Sequence, residues 1–172
     1  MKKSAVYSKL FFLFCFGMMI FLFKPVLAQN AKQEKELAKE NAIKTIVLAQ
    51  RYVFNAQSAT SMKGRTRQLS PGYDLVVKKD TVDAYLPYFG VAYTAPIGSS
   101  EGGIKFTSVD FEYRIEDAKQ GGWSVAIKPK KVQDVTMMTL SISKTGYTTL
   151  QVNSNTRQMI SFYGTIEEIK PH

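Results

Sequence analysis

Few groupings in the sequence carry residue types that do chemistry. Ser141-Ile142-Ser143-Lys144 fits the S-x-x-K pattern, in which a lysine activates a serine nucleophile. Lys144-Thr145-Gly146 fits the K-T-G pattern that accompanies it in enzymes acting on β-lactams or peptidoglycan. Here both patterns share one lysine, whereas such enzymes draw two from separate elements, so the overlap reads as a hairpin turn. Asp110 with Glu112, and Asp80 with Asp83, are spaced as paired carboxylates that can serve as general acid and base. Arg114 follows on the strand face of Asp110 and Glu112, and that trio equally describes a solvated sheet surface with ordinary charge pairing. The absences narrow the field further. His172 is the only histidine and ends the chain, and Cys15 is the only cysteine. Ser–His and Cys–His catalysis, thiolate redox chemistry and His- or Cys-bearing metal clusters therefore have no residues to work with. No glycine-rich loop follows a strand and opens a helix, so nucleotide binding of the familiar kinds is unsupported. No catalytic residue, metal ligand or cofactor is assigned.

Two groupings suit binding instead. Residues 85–103, YLPYFGVAYTAPIGSSEGG, pass from an aromatic half with two prolines into a glycine- and serine-rich half. Tyr85, Pro87, Tyr88, Phe89 and Tyr93 are the candidate ligand-binding residues, because aromatic faces can stack on a sugar, peptide or lipid at low ordering cost. The alternative is that these aromatics fold back and plug one end of a sheet. Lys63, Arg65 and Arg67 alternate, so in a strand they would form one basic stripe able to meet phosphates, acidic glycans or carboxylates. An edge strand guarded by charge explains the same stripe.

These residues must be carried by elements, and the first segment is read as one that carries nothing. Lys2, Lys3 and Lys9 precede an uncharged run from Leu10 to Phe23, LFFLFCFGMMIFLF, with no acid before Glu34. A spanning helix takes about 20 apolar residues, so this shorter run reads as the core of a signal peptide. Val26-Leu27-Ala28 places the expected cut after Ala28, which makes 1–28 a signal peptide and 29–172 a single domain. An uncleaved anchor is the alternative. A lipoprotein fits less well, since Leu13-Phe14 precede Cys15 where a small residue is wanted. The whole chain of 172 residues has 23 basic and 14 acidic residues, a net +9. Cleavage removes Lys2, Lys3, Lys9 and Lys24 and no acid, leaving 19 against 14, or +5, with no cysteine. An excess of that size is ordinary for a solvated surface, so no nucleic-acid partner is expected, and no membrane span remains in the mature chain.

The mature chain opens with a helix predicted over about 32–56, where Ala42, Ile46, Ala49, Val53 and Ala56 recur at helical spacing after a polar stretch, KQEKELAKE. Alternation then takes over, with strands predicted over about 60–168. A Lys79-Asp80 loop would pair Val77 with Val82, Leu75 with Ala84 and Tyr73 with Leu86. Thr107, Val109, Phe111, Tyr113 and Ile115 form the apolar face of one strand, and Trp123, Val125 and Ile127 that of the next. A turn at Lys144-Thr145-Gly146 would set Leu140 against Leu150 and Met138 against Val152, and a loop through Asn153-Ser154-Asn155 would set Leu150 against Ile160 and Thr148 against Phe162. The expected fold is α+β, an N-terminal amphipathic helix packed on a curved, mostly antiparallel sheet of about seven or eight strands.

At YLPYFGVAY (85–93), GGIKFTS (102–108) and QMISFYGTI (158–166) the chain resembles an exported family of Bacteroidetes catalogued as domain of unknown function 4251. The resemblance implies one small domain in a Gram-negative envelope and transfers no activity, ligand or catalytic residue. Our reading of the sequence is thus a periplasmic or envelope-associated, non-enzymatic module that binds a ligand or protein partner. The alternatives are a carboxylate-based envelope hydrolase or lyase and a structural or assembly subunit.

Overall fold

The structure, a computed structural model, describes residues 24–93, 102–119 and 121–170. The expected cleavage signal lies largely outside them, as do Cys15 and His172. Within them one helix, α1 (Lys24–Leu48), precedes ten strands: β1 (Tyr52–Ser61), β2 (Thr66–Gln68), β3 (Asp74–Val77), β4 (Val82–Leu86), β5 (Ile104–Ser108), β6 (Phe111–Asp117), β7 (Trp123–Pro129), β8 (Val135–Ile142), β9 (Tyr147–Ser154) and β10 (Ile160–Glu168). The α+β order and the antiparallel pairing are as expected, but there are ten strands where seven or eight were predicted. No helix among the described residues is long and apolar enough to cross a membrane.

The helix stops eight residues before the predicted Ala56. Arg51 N–H donates to Ile46 O at 3.0 Å and Gln50 N–H to Val47 O at 3.2 Å, the paired bonds of a Schellman cap, with Gln50 at φ 52°. Glycine is the usual residue at that left-handed position, so a glutamine there hides the stop. Tyr52, Val53 and Phe54, aromatic and β-branched, then open a strand. Burial on α1 is correspondingly short, at Ile43, Ile46 and Val47, while Ala42 and Ala49 are exposed.

The strands form one sheet in the order β5-β4-β3-β1-β10-β9-β8-β7-β6, with β2 added to the far half of β1. The inward residues are mostly apolar, with Ser58, Ser108 and Thr148 among them, and they meet in a single core around Tyr52, Phe54, Leu75, Ile127, Leu140, Leu150 and Phe162. One buried face shared by so many strands requires the sheet to roll. Contacts between distant strands show the roll: Ile104 of β5 lies with Val135, Val152 and Ile160 of β8, β9 and β10, and Tyr113 of β6 reaches Tyr52 of β1. The predicted single strand through Thr107 to Ile115 is broken at Val109–Asp110 into β5 and β6. The bend takes one residue more than continuous alternation allows and so shifts the inward parity: Ile104 and Ser108 point in before it and Phe111, Tyr113 and Ile115 after it. Val109 itself is 77% exposed, against expectation. The two strands farthest apart in the sheet are therefore consecutive pieces of one extended segment.

Two hairpins have the predicted register: Val77 faces Val82 and Leu75 faces Ala84, and Leu140 faces Leu150 and Met138 faces Val152. In the next hairpin Leu150 faces Phe162 and Val152 faces Ile160, two residues from the prediction and on the same face. Its loop is centred on Thr156 because Ser154 Oγ accepts from the backbone N–H of both Thr156 (3.1 Å) and Arg157 (3.2 Å).

At the helix end of the roll Tyr113 donates its hydroxyl to Val47 O, 3.1 Å away, and lies 3.4 Å from the Tyr52 hydroxyl. Burial raises the phenol of Tyr52 well above its usual value of 10.0, the neighbouring Tyr113 adding to this, and burial raises Tyr113 as well. With native values raised, unfolded chains lose these protons first. Their stabilising effect is full below about pH 10 and disappears as pH climbs through the native values. Urea midpoints are accordingly expected to hold steady from neutrality to about pH 9 and to fall above about pH 10. A midpoint unchanged between about pH 9 and 11 would show that neither phenol is sequestered.

Candidate functional site

At the opposite end, β4 runs out into Pro87-Tyr88-Phe89, and the chain folds over the open end of the roll. Pro87 is buried, and Tyr88 and Phe89 pack partly against the core. Beyond them Val91–Tyr93 pairs antiparallel with the β9–β10 loop: Tyr93 N–H donates to Thr156 O at 2.8 Å, Gln158 N–H to Val91 O at 3.1 Å, and Ala92 bridges Arg157. Tyr88 Oη is within hydrogen-bond reach of Val91 O (2.9 Å) and Gln158 O (3.0 Å), closing the segment on itself and on the loop. Burial raises the Tyr88 phenol, with the Arg157 charge opposing it.

Arg157 is the centre of this end. Its side chain is only 6% exposed, yet it carries a full charge. One guanidinium nitrogen donates to Gly102 O at 2.8 Å and Gly103 O at 3.1 Å, the other to Asp134 Oδ2 at 3.0 Å, and the group lies 5.2 Å from the centre of the Tyr88 ring. Thr156 Oγ1 donates to the second Asp134 oxygen at 2.9 Å. Arg157 thus joins three connections, those before β5, before β8 and before β10. The space behind it, walled by Ile104, Val135, Val152 and Ile160, is about 10 Å3, room for about one water molecule. Small-molecule sites run to roughly 300–1,000 Å3, so this cavity takes no ligand as it stands.

The structure sorts the sequence candidates. Phe89 and Arg67 come together, the guanidinium 4.8 Å from the ring centre. Arg67 lies in β2, Arg65 just before it and Lys63 in the turn that joins β1 to β2, so the predicted strand alternation of the three is interrupted. Tyr85 points outward, stacked on Tyr73 at 5.5 Å, and the Lys105 ammonium lies 5.5 Å from its ring centre. Tyr93 is 66% exposed. Residues 94–101 of the glycine- and serine-rich half lie outside the described residues. Asp110 and Glu112 pair with Lys130, Lys131 and Arg114 at 3.5–3.9 Å on the outer surface, and Asp83 accepts from Thr107 while Asp80 accepts from Thr81. None of them lines the cavity. Burial first and the neighbouring Asp83 second raise the Asp74 carboxyl above its usual value. Lys144 pairs with Glu40 at 3.0 Å, in a turn where Gly146 takes φ 86° and Ser143 N–H donates to Tyr147 O. Sequence reasoning missed Arg157 and Asp134, because a lone arginine in a polar loop has no periodicity to mark it as inward.

Among the described residues, this is a one-helix protein with a rolled antiparallel sheet, a filled interior and one end latched by a buried arginine. The chain belongs to the family described as domain of unknown function (DUF4251), whose model matches residues 34–166. It is similar in fold to the crystal structure of a DUF4251 family protein from Bacteroides eggerthii DSM 20697, at 15% identity and a TM-score of 0.61, over 76% of this chain and 88% of that one. No curated protein matches the chain.

Proposed function

We propose that the protein is an exported, envelope-associated binding domain without catalytic activity, which meets its ligand or partner with the outer surface of the 85–93 segment and not with an interior pocket. The observation that carries this reading is the doubly anchored aromatic segment. The backbone bridge and the Tyr88–Arg157 contacts hold it in place while Val91 and Tyr93 stay exposed, with Arg67 and Phe89 alongside. An aromatic surface fixed in advance loses little entropy on binding. Carboxylates engaged in surface ion pairs away from the cavity support the non-enzymatic side of the reading.

Native mass spectrometry of the protein purified from its own envelope fraction tests this directly. The wild type is expected to begin at Gln29 and to retain an added mass that Val91→Ser/Tyr93→Ala loses without a change in melting temperature, since neither side chain is in the latch. A wild type recovered bare, or a variant that keeps the added mass, removes the reading.

A further inference from the structure

The outer face of β8, β9 and β10 differs from that of β6 and β7. A row of outward residues runs in register across four strands as Ser124, Ser141, Thr149 and Tyr163, and beside it runs Thr139, Gln151 and Ser161. From Met137 through Thr165 no outward residue of these three strands is charged. The neighbouring outer face of β6 and β7 is the internal contrast, with Glu112, Arg114, Glu116 and Lys128 and ion pairs between them and Lys130. At one end of the neutral face Tyr147 and Tyr163, 51% and 47% exposed, lie near-parallel with centroids 6.2 Å apart and planes at 9°.

We propose that this face binds a neutral glycan. Charged groups covered by an uncharged partner would lose hydration with nothing in return, and none stands among the outward residues from Met137 through Thr165; Lys39 Nζ lies 6.0 Å from the centre of the Tyr147 ring. Hydroxyl and amide side chains both donate and accept, matching sugar hydroxyls, and tyrosine rings accept the apolar faces of pyranose rings while keeping a polar edge. A protein partner fits less well, because interface cores are enriched in aromatic and apolar groups and depleted in serine, and Met137 is the one aliphatic side chain among these outward positions. The site is separate from the 85–93 segment and does not depend on it.

Native affinity gels containing amylopectin, mixed-linkage β-glucan or galactomannan provide the test. At least one is expected to retard the wild type, and Tyr147→Ala/Tyr163→Ala is expected to weaken the apparent affinity about tenfold or more. Gln151→Glu, isosteric and exposed, should weaken it too by placing a charge on the face, and it decides alone if the double variant melts early. Retardation by none of the three, equal retardation of the variants, or retardation by dextran sulfate only overturns the proposal. So does a concentration-dependent dimer in sedimentation that the same substitutions abolish, which would make the face a contact between two copies.

Discussion

Arg157→Met is expected to lower the melting temperature by roughly 6–12 °C, the equivalent of about 2–3 kcal/mol for a domain of this size. The methionine fills much of the same space but leaves Gly102 O and Gly103 O without their donor, and Asp134 without its counter-charge. Asp134 is 40% exposed and keeps the Thr156 hydroxyl, so water relieves part of its loss, and the cost falls short of the 3–5 kcal/mol typical of stranding a fully buried partner. The carbonyls set the larger share. Asp134→Asn, which removes the charge but keeps an acceptor for the guanidinium, should cost only about 1 kcal/mol. Thermal melts followed by circular dichroism separate the two variants. If Arg157→Met melts with the wild type, the buried arginine is not what holds the three connections together, and the rigid presentation of Val91 and Tyr93 loses its basis.

Gly164→Ala is expected to be the costlier change, at least about 3 kcal/mol in urea unfolding. The position has no unusual backbone angle; the constraint is space. A Cβ at Gly164 would run into Asn55 O, and would stand 2.9 Å from the Asn55 carbonyl carbon and 3.1 Å from Phe54 Cε2. Backbone cannot step aside as a flexible side chain does. The close approach arises where the β1–β10 register shifts between Ala56 and Ser58, leaving Gln57 without a partner in β10. Glycine in a strand at such a register shift lets a sheet curl tightly. Thr165→Ala, one residue on and facing outward, is the matched control and should change stability by less than about 0.5 kcal/mol. An alanine at 164 tolerated within about 1 kcal/mol would mean that the two strands are not in contact there.

Turn chemistry decided how much of this was legible in the sequence. The hairpins around Lys79-Asp80 and Lys144-Thr145-Gly146 were readable because each has a short turn flanked by alternation long enough to fix the register. The β9–β10 loop misled by two residues because Ser154 reaches forward to the Thr156 and Arg157 amides, a side-chain bond that spacing does not announce. The helix was overextended because its stop is a left-handed glutamine, and Val53 and Ala56 fall at helical spacing by coincidence. Val109 fits an alternating pattern perfectly and is still outside it, since the bend that expels it serves the closure of the sheet and not local preference. At the candidate site the aromatic residues were visible as a composition, whereas their anchor was not. The inward turn of Arg157 depends on carbonyls at Gly102 and Gly103, more than fifty residues away in sequence.

The bend at Val109–Asp110 also bears on how the sheet resists force. In an open sheet the two outermost strands fray separately. Here β5 and β6 are one length of backbone, zipped to β4 on one side and to β7 on the other. Peeling β5 from β4 drags on β6, and loosening β6 slackens β5, so strain applied at either margin is shared across both. The outermost strands of the main path, β5 and β6, act as a belt fastened at its two ends, and neither can come undone alone; β2, paired only with β1, lies outside that belt.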